Sequence, residues 1–293
     1  MTSDPAKPAI AFIGLGIMGG PMAGHLQAAG HQLHLHSRTR AKAARLIEAG
    51  GIWHDDPGDA AAAADVVITM VGLPSDVEGL YLSGEGLIAR ARPGAVLIDM
   101  TTSTPSLAVR IAAEAAGRGL AALDAPVSGG VQGAQGAKLS IMVGGDPAAF
   151  ESALPVLRCM GTNIVRQGGP GAGQHCKMSN QIVIAGTIMG VAEGLAYARR
   201  AGLDPAQVLQ SIGTGAAGGF QLNVLGPLMV KGDFAPGFMI EHFVKDMTIA
   251  LAEAAANGLD LPGLRTAFGQ FQKLVEAGLS REGTHAIAKA YAG

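Results

Sequence analysis

Ala9-Ile10-Ala11-Phe12-Ile13-Gly14-Leu15-Gly16-Ile17-Met18-Gly19 is the stretch that decides the fold. Five apolar residues in a row read as a strand buried on both faces. The G-x-G-x-x-G behind them is a tight turn, and Pro21 to Ala29 continues as a helix. A strand that empties through bare glycine amides into a helix start offers N–H groups and a positive helix end to an anion. A dinucleotide pyrophosphate, cradled over Gly14, Leu15, Gly16, Ile17, Met18 and Gly19, is the ligand such a turn suits. With 44 glycines in 293 residues the pattern also arises by chance, as a turn with no ligand. Its place after a strand and before a second strand at Gln32 to His36 favours the nucleotide.

Working outward, further apolar runs fall at Val66–Val71, Ala95–Asp99, Ala121–Asp124, Leu139–Val143 and Asn163–Arg166, separated by helix-like stretches. Runs this rich in Val, Ile and Leu predict a doubly wound, mainly parallel α/β sheet covered on both faces, a Rossmann domain. The strands stop near Gly168-Gly169-Pro170-Gly171. From Gln174 to Ala201 there is no proline, and apolar residues recur at helical spacing: Met178, Ile182, Ala185, Met189, Ala192 and Ala196. A helix of that length spans roughly 40 Å, enough to leave one domain and form the spine of another. Further helices are expected from Asp204-Pro205, from Pro227, over Met239–Ala256 and over Pro262–Gly278. The chain exceeds the usual size of one core, so two domains are expected. These are a nucleotide-binding domain over 1–169 and an all-α domain for substrate and oligomerisation over 170–293, joined by the long helix.

The composition is 48% hydrophobic and 15% charged with net charge −2, which makes no electrostatic case for nucleic acid or a membrane surface. No uninterrupted apolar stretch reaches the ~18 residues of a spanning helix, since Asp65 interrupts the longest candidate. Met1 to Pro8 is short and polar, unlike a signal peptide, so a cytoplasmic protein is expected. Cys159 and Cys176 are too few for a disulfide framework and lack metal-ligand spacing; no metal is expected.

An acidic residue about 20 positions after such a glycine turn ordinarily holds the adenosine ribose 2′-hydroxyl. Here that place reads His36-Ser37-Arg38-Thr39-Arg40, and no Asp or Glu occurs between Asp4 and Glu48. A guanidinium at Arg38 with the hydroxyls of Ser37 and Thr39 suits a 2′-phosphate, which favours NADP over NAD; a solvated basic turn is the alternative. In Asp124-Ala125-Pro126-Val127-Ser128-Gly129-Gly130, a serine hydroxyl and two unobstructed glycine amides could cradle a small carboxylate, or form only a loop. Lys177, Asn180 and Gln181 share one face at the start of the long helix. Either the amine reaches water, or it is desolvated and gives a proton to a carbonyl oxygen while the two amides orient the substrate. The segment alone leaves both open. Lys245-Asp246, in apolar surroundings, reads most simply as an exposed pair.

Taken in order along the chain, these segments resemble the β-hydroxyacid dehydrogenase family. The resemblance is carried by the GLGIMG turn, Leu73-Pro74, Asp99-Met100-Thr101-Thr102, DAPVSGG, Ile141-Met142-Val143-Gly144-Gly145, the GxGxxxK start of the long helix, and Pro236-Gly237-Phe238 with Lys245-Asp246. It implies a cofactor pyrophosphate over Gly14 to Gly19, with Leu73 and Pro74 lining the nucleotide and Thr102 beside the nicotinamide. It implies further that Ser128, Gly129 and Gly130 bind the substrate carboxylate. Lys177 acts as general acid in reduction and base in oxidation. Asn180 and Gln181 hold the substrate, Phe238 closes over it, and Lys245 with Asp246 closes the cofactor side. Dimers or tetramers through the helical domain are implied too. Where the family usually carries two asparagines after the lysine, this chain has Asn180-Gln181. That departure, with Gly213 to Gly219, resembles the branch that reduces tartronate semialdehyde to glycerate. An oxidoreductase interconverting a short 3-hydroxy acid and its semialdehyde is expected, with 3-hydroxyisobutyrate or another short 3-hydroxy acid as the alternative to glycerate. Imine reduction is disfavoured by the retained lysine, and a non-catalytic nucleotide sensor by the presence of Lys177, Ser128 and Asn180.

Overall fold

The structure is a computed structural model, and it describes residues 7–291. It divides into two compact units, 1–177 and 178–293.

The first unit alternates strand and helix: β1 (Ile10–Ile13), α1 (Gly19–Ala28), β2 (Leu33–His36), α2 (Ala44–Glu48), β3 (Ile52–Trp53), α3 (Pro57–Ala62), β4 (Val66–Thr69), α4 (Pro74–Leu82) and α5 (Leu87–Arg90). It continues with β5 (Val96–Asp99), α6 (Pro105–Ala116), β6 (Ala121–Asp124), β7 (Val127–Ser128), α7 (Gly130–Gln135), β8 (Leu139–Gly144), α8 (Pro147–Leu157) and β9 (Gly161–Gly168). The sheet order is β3-β2-β1-β4-β5-β6-β8-β7, with β9 also on β8. β3 to β6 and the β8–β9 pair run parallel, and β8 meets β6 and β7 antiparallel. This is the doubly wound, mainly parallel Rossmann architecture. β1 and β4 are wholly buried, as their unbroken apolar sequences require. One core gathers Phe12, Met22, Leu35, Ile68, Ile98 and Ile141, and a second holds Ile13, Val67, Val77, Leu97 and Ile111.

Several helices start the same way. Asp56, Thr104 and Asp146 each accept backbone N–H groups at the start of α3, α6 and α8, and proline occupies the first helical position. The strand order reverses between β1 and β4, and open sheets of this kind bind ligands at the carboxyl ends of the strands there.

The long helix α9 runs from Ala172 to Arg200. By length and composition it is apolar enough to cross a membrane, although no uninterrupted apolar run marks it in the sequence. Its Ala185, Ile188, Ala192 and Leu195 are instead packed into the core of the second unit, with Phe243, Met247 and Phe271. That unit continues through α10 (Pro205–Ile212), a π-helical turn at Gln221–Leu225, α11 (Gly226–Lys231), α12 (Ile240–Ala256) and α13 (Pro262–Glu276). A 3₁₀ stretch, Thr284–Tyr291, closes the described chain.

Candidate active site

The glycines of the opening turn have separate reasons to be glycine. Gly14 has φ +99°, and a Cβ there would run into the Met70 carbonyl at the end of β4. A Cβ on Gly19 would strike the Gly14 carbonyl, so the first turn of α1 can close on the strand only without a side chain. Gly16 meets nothing within 4 Å: the fold does not demand it, but a group approaching the bare backbone does. Leu15 is buried, Ile17 is 56% exposed, and Met18 is half-buried against the core. The turn therefore fits a pyrophosphate.

Beside it, the Leu15 amide points at the Ser37 hydroxyl (3.4 Å). Arg38 projects into solvent with Asp76 3.9 Å away, and Thr39 is exposed. Leu73 is 46% exposed, while its amide donates to Asp76 and Pro74 opens α4. An apolar side chain left in water at the carboxyl end of the sheet suits the flat face of a base.

Register sets Thr69, Asp99 and Asp124 side by side at the ends of β4, β5 and β6. The Thr69 hydroxyl donates to Asp99 (2.8 Å) and meets the Tyr81 hydroxyl (2.9 Å), and the Thr101 amide also donates to Asp99 (3.1 Å). Burial pushes the Asp99 carboxyl up to about 6 against the pull of those hydrogen bonds, with Asp124 adding to the rise. Burial raises Asp124 as well, opposed by the main-chain N–H groups it accepts.

Those groups belong to the start of α9. Asp124 accepts from the amides of Gly171 and Gln174 (both 2.8 Å), capping the helix. Close approach makes this possible. A Cβ on Gly173 would lie 2.6 Å from the Asp124 carbonyl, and one on Gly144 2.7 Å from the Gly173 nitrogen. Gln174, wholly buried, donates to the Thr101 carbonyl (2.8 Å) and accepts from the Ser103 amide (3.0 Å). It thus brackets Thr102, which is half-buried. One turn later, Lys177 is 6% exposed and its Nζ donates to the Val127 carbonyl (2.9 Å). The amine does not run out into water. It sits on the segment that carries Ser128, Gly129 and Gly130, the glycines at φ +126° and +59°.

In the second unit the sequence had treated two polar groups separately, and the structure joins them. Asn180 Nδ2 donates to Gln181 Oε1 (2.7 Å), and Gln181 Nε2 donates to Asp246 Oδ2 (2.6 Å). Lys245 Nζ lies 2.9 Å from Asp246 Oδ1. The Lys245 and Asp246 side chains are only 15% and 2% exposed, so they are not a surface pair. Phe238 is half-buried, edge-on to Phe243 at 5.6 Å. Sequence reasoning missed Thr69, Tyr81, Asp99, Asp124 and Gln174 as members of the site. For Asp99 and Asp124, a carboxylate at the end of an apolar run was the signal that could have found them.

A glycine turn that fits a pyrophosphate, an amine buried beside the Ser128 segment and a helical second unit are what a two-domain oxidoreductase with a nicotinamide cofactor requires. Comparison with known proteins makes the class specific. Residues 9–169 match the NAD binding domain of 6-phosphogluconate dehydrogenase, and residues 171–291 the NAD-binding domain of NADP-dependent 3-hydroxyisobutyrate dehydrogenase. The chain belongs to the β-hydroxyacid dehydrogenase family. It is 52% identical to the uncharacterized oxidoreductase YkwC of Bacillus subtilis over 97% of its own length and 98% of that protein. It is 39% identical to the 2-hydroxy-3-oxopropionate reductase of Escherichia coli, over 96% of both. The Mycobacterium tuberculosis 3-hydroxyisobutyrate dehydrogenase, solved with L-serine, superposes with a TM-score of 0.89 at 32% identity, covering 98% of this chain and 100% of the other.

Proposed function

We propose that this dehydrogenase reduces tartronate semialdehyde to glycerate, preferring NADPH, with Lys177 as the general acid. The observation that carries the proposal is the Lys177 amine, 6% exposed and donating to the Val127 carbonyl at 2.9 Å, next to Ser128. A bound reduced nicotinamide supplies the hydride that the carbonyl carbon receives. Lys177 gives its proton to the oxygen of that carbonyl and takes one back in the oxidative direction. The Ser128 hydroxyl and the Gly129 and Gly130 amides hold the carboxylate; glycine conformations at both positions turn the backbone for that task. Thr102, bracketed by the Gln174 clamp, borders the nicotinamide. We assign Asn180, Gln181, Phe238 and Asp246 to the substrate and Lys245 to the cofactor, on the family resemblance of their segments.

The preference for NADP rests on Ser37, Arg38 and Thr39 and on the absence of an acid between Asp4 and Glu48. Arg38 is exposed, and its ion pair among the described residues is a loose 3.9 Å pairing with Asp76 that a 2′-phosphate can displace. The test is direct: mix purified protein with NADPH or NADH and tartronate semialdehyde and follow absorbance at 340 nm. Oxidation of NADPH faster than of NADH is expected. No turnover with this or other three- and four-carbon semialdehydes would falsify the assignment.

A further inference from the structure

We propose that Thr101 is a positioning residue for the cofactor: its hydroxyl ties the β4–α4 loop, which carries Leu73, to the β5–α6 loop, which carries Thr102. This rests on the assignment above, in which both loops border the cofactor, and names the group that holds them in register. The main-chain ladder of the sheet ends just short of these loops. Met70 donates to the Ile13 carbonyl and Met100 to the Thr69 carbonyl (both 2.9 Å). Thr69 pairs with Asp99, so two residues further on the register brings Val71 opposite Thr101. There the partner is a side chain: the Val71 amide donates to Thr101 Oγ1 at 3.0 Å.

Thr101 can act as an anchor because its own peptide is fixed at both ends. Its amide donates to Asp99 Oδ1 (3.1 Å), its carbonyl accepts from Gln174 Nε2 (2.8 Å), and the residue is 2% exposed. A backbone N–H only donates, so the hydroxyl accepts from Val71 and keeps its one proton for another partner. The Asp99 carboxylate is that partner, since the Thr101 side chain is among the hydrogen bonds that draw its carboxyl down against burial. On its other side Val71 reaches the glycine turn, where a Cβ on Gly14 would come 3.1 Å from Val71 Cγ1. Two residues later the Leu73 amide donates to Asp76 Oδ2 (3.1 Å). The loop is thus pinned at its start by Thr101 and at its end by Asp76, with Gly72 between. Loops that line a cleft are drawn from the less stable parts of a domain, and a ligand that must order one loses affinity in doing so. The hydroxyl fixes the loop before the cofactor arrives, and removing it transfers that ordering cost to the binding step.

The experiment compares Thr101→Val, which keeps the shape of the side chain and drops the hydroxyl, with Thr101→Ser, which keeps the hydroxyl. Hydrogen exchange over residues 70–73 is measured in the cofactor-free protein, and the dissociation constant for NADPH is titrated through the change in its fluorescence. In Thr101→Val the Val71 amide should exchange about tenfold faster and NADPH should bind about tenfold more weakly, whereas Thr101→Ser should stay within about threefold of the unaltered protein in both. Thr101→Ala, whose smaller side chain leaves room for a water beside Val71, should fall between the two and carries the test if Thr101→Val does not fold. Faster exchange with unchanged binding would make the link structural only and overturn the proposal. Unchanged exchange, or equal weakening in the serine and valine variants, would overturn it as well. If the unaltered protein binds neither NADPH nor NADH, the cofactor assignment itself falls, an outcome distinct from binding that the hydroxyl does not affect.

Discussion

Along and around α9 the two units bury polar side chains in different ways. In the first, Asp124, Gln174 and Lys177 all bond to main-chain atoms: the Gly171 and Gln174 amides, the Thr101 carbonyl and Ser103 amide, and the Val127 carbonyl. In the second, Asn180, Gln181, Asp246 and Lys245 bond to one another. A main-chain partner cannot be changed by mutation and cannot rotate, so such contacts fix position. A chain of side chains carries donor and acceptor polarity from end to end, and any one substitution resets it. The first arrangement holds a side chain still, and the second leaves its polarity open to change by a single substitution.

The largest expected effect tests the first unit. Lys177→Ala should cost roughly 10²–10⁴ in turnover, measured at 340 nm, with thermal unfolding close to that of the unaltered protein. Turnover within a few-fold of the original would remove the amine from the mechanism. A matched pair then sets the two anchoring styles against each other. Asp246→Asn takes the carboxylate away from a largely buried ammonium and should destabilise by about 3 kcal/mol. Asp124→Asn keeps an acceptor for one helix-start amide and should cost about 1–2 kcal/mol. Urea denaturation measures both, and equal losses would erase the contrast.

Asp99 sharpens it through pH. Its folded carboxyl titrates at about 6 against an ordinary 3.8, so the folded state holds the proton more tightly than the unfolded chain. Stability from this group is fully present below pH 4, is lost as pH rises from about 4 to 6, and is level above. Two pKa units correspond to about 3 kcal/mol, an upper bound for what unfolding curves would register. Asp99→Asn should flatten that part of the profile; an unchanged slope would assign it to other carboxylates such as Asp124. The smallest effect belongs to the exposed rim. Arg38→Ala should raise KM for NADPH roughly tenfold and leave NADH unchanged, and equal changes for both cofactors would show that Arg38 does not read the phosphate.

The comparison also explains what the sequence could disclose. The seven longer strands and the long helix were legible because burial on both faces, or on one face at helical spacing, writes itself into consecutive residues. β3 and β7 have two residues each, too few for any period to appear. α1 begins at Gly19, two residues before the proline that seemed to open it, because Gly19 packs against Gly14. The glycine turn, Ser128, Lys177 and Asn180 stood out as residues whose chemistry needed explaining. Gln174 and Asp124 did not, since their partners lie 47 to 73 residues away and are main-chain atoms that leave no mark in the sequence. The link between Gln181 and Asp246 spans 65 residues and was hidden for the same reason of distance.

Where Gly144 and Gly173 pass each other, not even a methyl group fits between strand and helix. The base on which the lysine stands is consequently seized, like a beam welded at its foot. Whatever travel the Lys177 ammonium has must come from torsions of its own four methylenes, since the helix beneath it has no slack to slide. Attempts to broaden the range of accepted aldehydes will therefore gain nothing by loosening residues 171–174, and directed evolution should find its useful changes further along α9 and on α12.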